Sequence, residues 1–412
     1  MSSEIINSQL KSNISKEFHK EKNYTNIYQK TKALNKNYGP EYTHMDFVDI
    51  KTGSIGANNE LIFNLTETYS ENLIHQIFLY SETTKWHASS SPGVWNTPNL
   101  GGANCIQNYT FYSGGEDLLT VERDTWDCVL AMQGEEYQDW LNKIINGSNP
   151  DLDTNGFCPM ITFWNGLAKT FDPKHSLIVP LLQGKDLKIK MRLVSSIDKI
   201  GSSTSGTVTY PNDIKIGVVW SEIHPSLMCN LLKHTNKANL VNWYQLEKSE
   251  AFTGTTASQI INQDLTTLRG NVKALISTIH GYSASVTATN FSAFTPYTGK
   301  FSPDLLLSSV ELKNGGKRLK SYNVEGCYKA LMSESSIFME SSYPSLTLPL
   351  QFCKIDPKIL GSSTNYMNRE ELKSLKLYLT VTLAAQTWYI YTVSISECYL
   401  VYLDSGKIEI RH

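Results

Sequence analysis

From about residue 45 the chain alternates short runs of apolar, β-branched and aromatic residues with clusters of Gly, Asn, Ser and Pro. Runs at 45–50, 61–65, 73–80 and 109–112 have the composition and length of strands. Further strands are expected at 160–164, 177–182, 187–194 and 214–220, with breaks at 53–59, 89–102 and 201–206. One helix interrupts the series at 135–145. It places Tyr137, Leu141, Ile144 and Ile145 on one side and stops at Asn146-Gly147.

The order of elements then recurs. Ile260-Ile261 and the run 272–279 repeat the opening pair 61–65 and 73–80. The segment ending in Ser113-Gly114-Gly115 is answered by one ending in Asn314-Gly315-Gly316. The run 159–163 is matched by 347–352, and 187–193 by 375–381. Four matches in one order at near-constant spacing argue for two copies of a single β-domain. Each copy supplies about eight strands, and an all-β domain of that size resolves its sheet edges as a sandwich or jelly roll. The Gly-Gly pairs suit hairpin turns, where both central residues need positive φ. The predicted architecture is therefore all-β: an arm at 1–44, a first eight-stranded jelly roll at 45–235 and a second at 236–412, with the seam near 233–240.

The arm is different in kind. It is polar and lysine-rich, yet Ile6, Leu10, Ile14 and Phe18 recur every four residues along one helical face. It is read either as a partly disordered tail or as an amphipathic helix lying on a membrane or a neighbouring subunit. Over the whole chain the 37 basic and 39 acidic residues nearly cancel, so no global field points to sequence-specific nucleic acid as a partner. Seven scattered cysteines with no Cys-x-x-Cys argue against a disulfide framework and for synthesis in a reducing cytoplasm. No apolar leader core and no stretch of membrane-spanning length is present, so synthesis without a signal peptide is expected.

The search for chemistry returns little. The nine histidines form no His-x-His and no His-Glu-x-x-His. The segment 201–206 (Gly-Ser-Ser-Thr-Ser-Gly) lacks the following Lys and helix of a phosphate loop and reads as a strand connection. Ser196-Ile197-Asp198-Lys199 is too short a match to Ser-x-x-Lys to carry meaning. The pairs Glu135-Glu136 and Glu370-Glu371 read as solvated or helix-end charge, and His224 and His234 as loop or interface residues. No nucleophile elbow appears, and no catalytic residue, metal ligand or cofactor is assigned. The eight tryptophans and 22 tyrosines are spread along the strands as core and subunit contact.

Four stretches together carry a family likeness. They are 108–130, with its Gly-Gly turn and tryptophan; 158–193, with Phe163-Trp164, Val179-Pro180-Leu181 and an alternating basic and apolar strand; 346–356; and 375–406, with its closing strands. In strand order and patterning the chain resembles the double jelly-roll major capsid proteins of adenovirus (hexon), tailless membrane-containing phages, virophages and nucleocytoplasmic large DNA viruses. The likeness covers about residues 45–410. It departs from the family at Ser396-Glu397-Cys398-Tyr399, where a Tyr-Asn pair is usual. The resemblance implies a structural, non-enzymatic protein that forms homotrimers. Their six barrels make a pseudo-hexameric capsomer of an icosahedral virion shell, which contacts neighbouring capsomers and minor capsid or penton proteins. The arm with Ile6, Leu10, Ile14 and Phe18 would face an internal membrane or those proteins. Loops at 81–102 and 283–303 are candidates for the outer surface. The alternatives are a double jelly-roll scaffold protein of immature virions and a carbohydrate- or receptor-binding β-sandwich.

Overall fold

The computed structural model describes residues 43–82, 106–122, 125, 129, 156–166, 176–193, 213–223, 237–282, 307–322, 346–352, 366–368, 372–383 and 387–412. The expected helix at 135–145, the outer loops and the arm residues Ile6, Leu10, Ile14 and Phe18 lie outside them. In chain order the first half contributes β1 (His44–Val48), β2 (Glu60–Asn64), β3 (Asn72–Glu82), β4 (Ile106–Ser113), β5 (Glu116–Glu122), β6 (Gly156–Pro159), β7 (Leu177–Ile178), β8 (Leu187–Leu193) and β9 (Asp213–Glu222). The second half contributes β10 (Lys237–Lys248), β11 (Phe252–Thr253), β12 (Gln259–Asp264), β13 (Asn271–Tyr282), β14 (Leu307–Asn314) and β15 (Lys317–Tyr322). It continues with β16 (Leu346–Gln351), β17 (Met367–Asn368), β18 (Leu375–Val381), β19 (Thr387–Tyr402) and β20 (Ile408–Arg411).

The strands form four antiparallel sheets in two matching pairs. In the first half the orders are β1-β9-β3-β6 and β2-β8-β4-β5; in the second they are β10-β19-β13-β16 and β12-β18-β14-β15. Along these four-strand paths the topology is the same, that of a jelly roll, so the internal repeat is an architectural one; β7 adds to β3 in the first large sheet, and β17 to β13 and β11 and β20 to β19 in the second. Alternation fixes which face is buried. In β8 Leu187, Ile189, Met191 and Leu193 point inward while Lys188, Lys190 and Arg192 point outward; β18 repeats this with Leu375, Leu377, Leu379 and Val381. Both Gly-Gly pairs close the predicted hairpins with positive φ at each glycine: +58° and +95° at Gly114 and Gly115, +54° and +85° at Gly315 and Gly316.

Two expected strands take another form. The run 177–182 begins as β7 but turns at Val179–Leu182 into a single 3-10 turn. Pro180 sits in its first turn, where a fixed φ and a missing N–H cost nothing, and Gln183 ends it in the left-handed region. The run 160–164 also leaves the sheet. After the pair Phe78↔Pro159 the chain folds into a tight loop closed by reciprocal backbone hydrogen bonds between Thr162 and Gly166. Its apolar residues are buried all the same: Phe163 and Trp164 meet Phe111 edge-to-face at centroid distances of 5.4 Å each. The Tyr109 hydroxyl donates to the Ile161 carbonyl and accepts the Ile161 N–H, tying β4 to this loop across the barrel. Sequence pattern alone reports burial here, and a buried loop and a buried strand share that signature.

Candidate assembly surfaces and the inter-barrel contact

The apolar core of the first barrel extends into the seam with the second. Ala274, Ile276, Tyr391, Val393 and Ile395, from the outward face of the β10-β19-β13-β16 sheet, belong to the same continuous cluster as the interior of the first barrel. The interior of the second barrel forms a separate cluster around Leu275, Val310, Leu377 and Ile390. The outer face of the second large sheet is thus sealed against the first barrel. Two glycines permit the approach. A Cβ on Gly166 would lie 2.5 Å from the Tyr244 ring, and one on Gly406 would lie 2.2 Å from the Leu182 carbonyl oxygen; both have positive φ. The buried Tyr402 hydroxyl accepts the Ile178 N–H at 3.2 Å, and Lys407 reaches Glu116 at 2.8 Å on the rim.

A bulge at the same place in each barrel sets the correspondence between them. The β3–β9 register shifts between Ile74 and Gln76, and the β13–β19 register between Val272 and Ala274. Aligned on the bulges, His75 corresponds to Lys273, Ser221 to Glu397 and Ser176 to Tyr366. Each set is a buried polar node. His75 Nδ1 meets Ser176 Oγ and its Nε2 lies 2.8 Å from Ser221 Oγ. Trp164 Nε1 donates to the His75 carbonyl. In the second barrel Lys273, fully buried, pairs with Glu397 at 2.6 Å and donates to Asn242 Oδ1 at 3.1 Å, while the Tyr366 hydroxyl donates to Glu397 at 2.5 Å. Burial pushes the His75 pKa down to about 3, because a charged imidazole would be stripped of water there. The position is the same, but one node is neutral and the other is an ion pair.

The same alignment places Met45, Phe47, Phe78 and Gly217 of the first large sheet opposite Tyr244, Leu246, Ile276 and Val393 of the second. In the second barrel this face is covered. In the first, Met45 is 43% and Phe47 44% exposed, and Tyr80 stacks at 4.7 Å from Phe47. The run 45–50 was expected as a strand, and β1 forms there over His44–Val48, with Val48 buried and Ile50 partly so. The exposure of Met45 and Phe47 follows from the place of β1 as the edge strand of its sheet, paired only with β9 among the described strands. Sequence reading also passed over Lys273, whose one signal was a charge inside the apolar run 272–279.

The other residues weighed for chemistry (196–206, Glu135, Glu136, His224, His234, Glu370 and Glu371) lie outside the described residues. Among the described residues no group of His, Cys, Asp and Glu could hold a metal, and no helix is long and apolar enough to cross a membrane. Cys158 and Cys398 are buried free thiols whose pKa values burial pushes up, so both act as small apolar side chains. What the arrangement offers is a pair of barrels packed together through an apolar seam.

No protein-family model matches the sequence, and no curated protein matches it either. Solved structures do. PBCV-1 VP54, fitted into a reconstruction of the virophage Sputnik, is similar at 15% identity and a TM-score of 0.66, over 90% of this chain and 97% of that one. The quasi-atomic PBCV-1 virus capsid is similar at 14% identity and the same TM-score and coverage. The Faustovirus major capsid protein is similar at 8% identity and a TM-score of 0.55, over 88% and 90%. Identity this low with coverage this complete speaks to the fold, and the chain has the double jelly-roll fold of viral major capsid proteins.

Proposed function

We propose that this protein is the structural building block of an icosahedral virion shell, acting as a homotrimer whose six barrels form a pseudo-hexameric capsomer. The observation that carries the reading is the pair of barrels with matching four-strand paths, joined by an apolar cluster that runs from the first barrel into the seam. A rigid chain with two near-equivalent lobes gives a threefold assembly six similar corners, which a hexagonal lattice can accept. The arm (1–44) and two barrels (45–235 and 236–412) are the units of this reading. Its partners are neighbouring capsomers and minor capsid or penton proteins, and no cofactor or catalytic group is required.

The arm residues Ile6, Leu10, Ile14 and Phe18 would lie on an internal membrane or an underlying protein, so deleting 1–20 should leave trimers intact and impair shell assembly. The first test is native mass in dilute buffer. A species at three times the 46.4 kDa chain mass, with six-sided outlines by electron microscopy, supports the capsomer. A chain that stays monomeric at high concentration refutes it.

A further inference from the structure

We propose that the chain cross-links itself: Lys273 Nζ attacks the side-chain amide of Asn242, with Glu397 carrying the protons, to form an intramolecular isopeptide bond and release ammonia. The inference goes beyond the capsomer reading and does not depend on it.

Three adjacent strands bring three different functional groups to one buried point. Asn242 is on β10, Lys273 on β13, and Glu397 on β19 between them. Asn242 and Glu397 are cross-strand partners, and Asn271 pairs with Glu397 from the other side. The register steps over Lys273 between Val272 and Ala274, so the lysine is the bulge residue itself. A bulge re-aims a side chain, and Lys273 has the length to reach past β19 to the strand beyond. All three residues are buried, with Lys273 0%, Glu397 4% and Asn242 7% exposed.

Each polar atom faces the group with which it would react. Lys273 Nζ is 2.6 Å from Glu397 Oε1 and 3.1 Å from Asn242 Oδ1. The nucleophile therefore meets its base and the carbonyl end of the amide together. Glu397 Oε2 accepts the Tyr366 hydroxyl at 2.5 Å, which fixes the carboxylate and leaves Oε1 to the lysine. A base within hydrogen-bond reach of the proton it takes meets the geometric condition for general catalysis. Holding amine and amide in contact removes the entropic part of the barrier, and a dry site keeps water from competing for the carbonyl.

The step balances within the chain. Glu397 takes one proton from the Lys273 ammonium, and the neutral Nζ adds to Asn242 Cγ. Glu397 then delivers that proton to Nδ2 as the Cγ–Nδ2 bond breaks. One lysine hydrogen stays on the new amide, two leave with the nitrogen as ammonium, and Glu397 returns to carboxylate. Nothing is oxidised or reduced. Asn242 is the acceptor because a neutral amide carbon is a better electrophile than the anionic carboxylate of Glu397.

Attack needs the amine, whereas the folded chain begins with the ion pair. The bond therefore follows folding, and until it forms the ion pair alone holds the site. With the base on β19, it forms only once that strand has entered the sheet, and it then ties β10 to β13 across it. The matching node of the first barrel, His75 with Ser176 and Ser221, holds neither an alkyl amine nor an amide.

The experiment follows the intact mass of the full-length protein, denatured after increasing times at neutral pH. The expected result is loss of one ammonia per chain, and a branched peptide joining the segments of Asn242 and Lys273 on digestion and tandem mass spectrometry. The loss should be absent in Lys273→Met and at least about a hundredfold slower in Glu397→Gln. Chain held unfolded in guanidinium should keep its sequence mass. A folded wild type that keeps its sequence mass after weeks and releases the two peptides separately overturns the inference. So does loss of water, which would join Lys273 to Glu397. Ammonia loss on linear peptides that mild alkali reverses, the mark of a succinimide at a step such as Asn314-Gly315, overturns it as well. A folded Glu397→Gln chain that links at the wild-type rate overturns the role given to Glu397. Should either variant not fold, the wild-type peptide map decides.

Discussion

The two nodes at the bulges make a controlled comparison inside one molecule, and the strongest prediction concerns Lys273. Its ammonium and the Glu397 carboxylate are 2.6 Å apart, with side chains 0% and 3% exposed. In Lys273→Met the carboxylate keeps the Tyr366 hydroxyl but loses its counter-charge in a site nearly without water. Removing one partner of a buried ion pair costs about 3–5 kcal/mol. Neutralising the other partner as well, in Lys273→Met/Glu397→Gln, should return the protein to within about 1–2 kcal/mol of wild type. The matching change in the neutral node, His75→Leu, removes the imidazole from two buried serine hydroxyls and should cost about 1–3 kcal/mol.

The assay is urea unfolding followed by tryptophan fluorescence, with Trp243 and Trp388 reporting on the second barrel. Midpoint shifts at constant slope are read as free energies, and the double-mutant cycle yields the coupling. A loss below about 1 kcal/mol in Lys273→Met, or single losses that simply add in the double variant, would refute the claim that a dry ion pair holds this bulge.

Two further outcomes follow from the same geometry. The His75 pKa lies at about 3 in the folded protein against 6.5 for the free side chain, so as pH falls below 6.5 the unfolded chain takes up a proton that the folded one refuses. The His75 contribution is thus complete above pH 6.5 and is lost at about 1.4 kcal/mol per pH unit toward pH 3. Unfolding of wild type and His75→Gln at pH 7, 5.5 and 4.5 should therefore converge, and parallel curves would contradict this. Gly406→Ala forces a Cβ onto the Leu182 carbonyl at φ +76°, whereas Gly315→Ala meets open space at φ +54°. The second should cost about 1–2 kcal/mol and the first clearly more, with faster amide exchange along the inter-barrel contact; equal losses would show that the barrels are not braced there.

The barrels were legible in the sequence because alternation and turn chemistry are local. The inward leucines of β18, the Lys376, Tyr378 and Thr380 that alternate with them and the glycine pair of each hairpin all sit within a few residues of what they determine. The loop at 160–166 was not legible as a loop, since Phe163 and Trp164 are as apolar as any strand residue and only Gly166, with φ +63°, marks the reversal. The exposed face of β1 was hidden for the opposite reason. Met45 and Phe47 are as apolar as core residues, and their exposure follows from the place of β1 at the edge of its sheet, which no local pattern records. Lys273 looked like an interruption of β13; its meaning lies in Glu397, on a strand far along the chain.

That distance has a kinetic side. β19 lies between β10 and β13 and also pairs with β11 and β20, and its residues Thr387–Tyr402 are made more than a hundred after β13. The first large sheet, by contrast, has its central β9 once synthesis passes Glu222. On the ribosome the first barrel can close early, whereas β10 to β18 must wait with an open seam for their middle strand. Pairings between such remote segments form slowly, and unpaired edges are the places where chains go astray. The finished first barrel, ready to receive Tyr244 and Ile276, is the surface nearest to hand for that waiting half, so its early closure would act as a template that shortens the exposure of its twin.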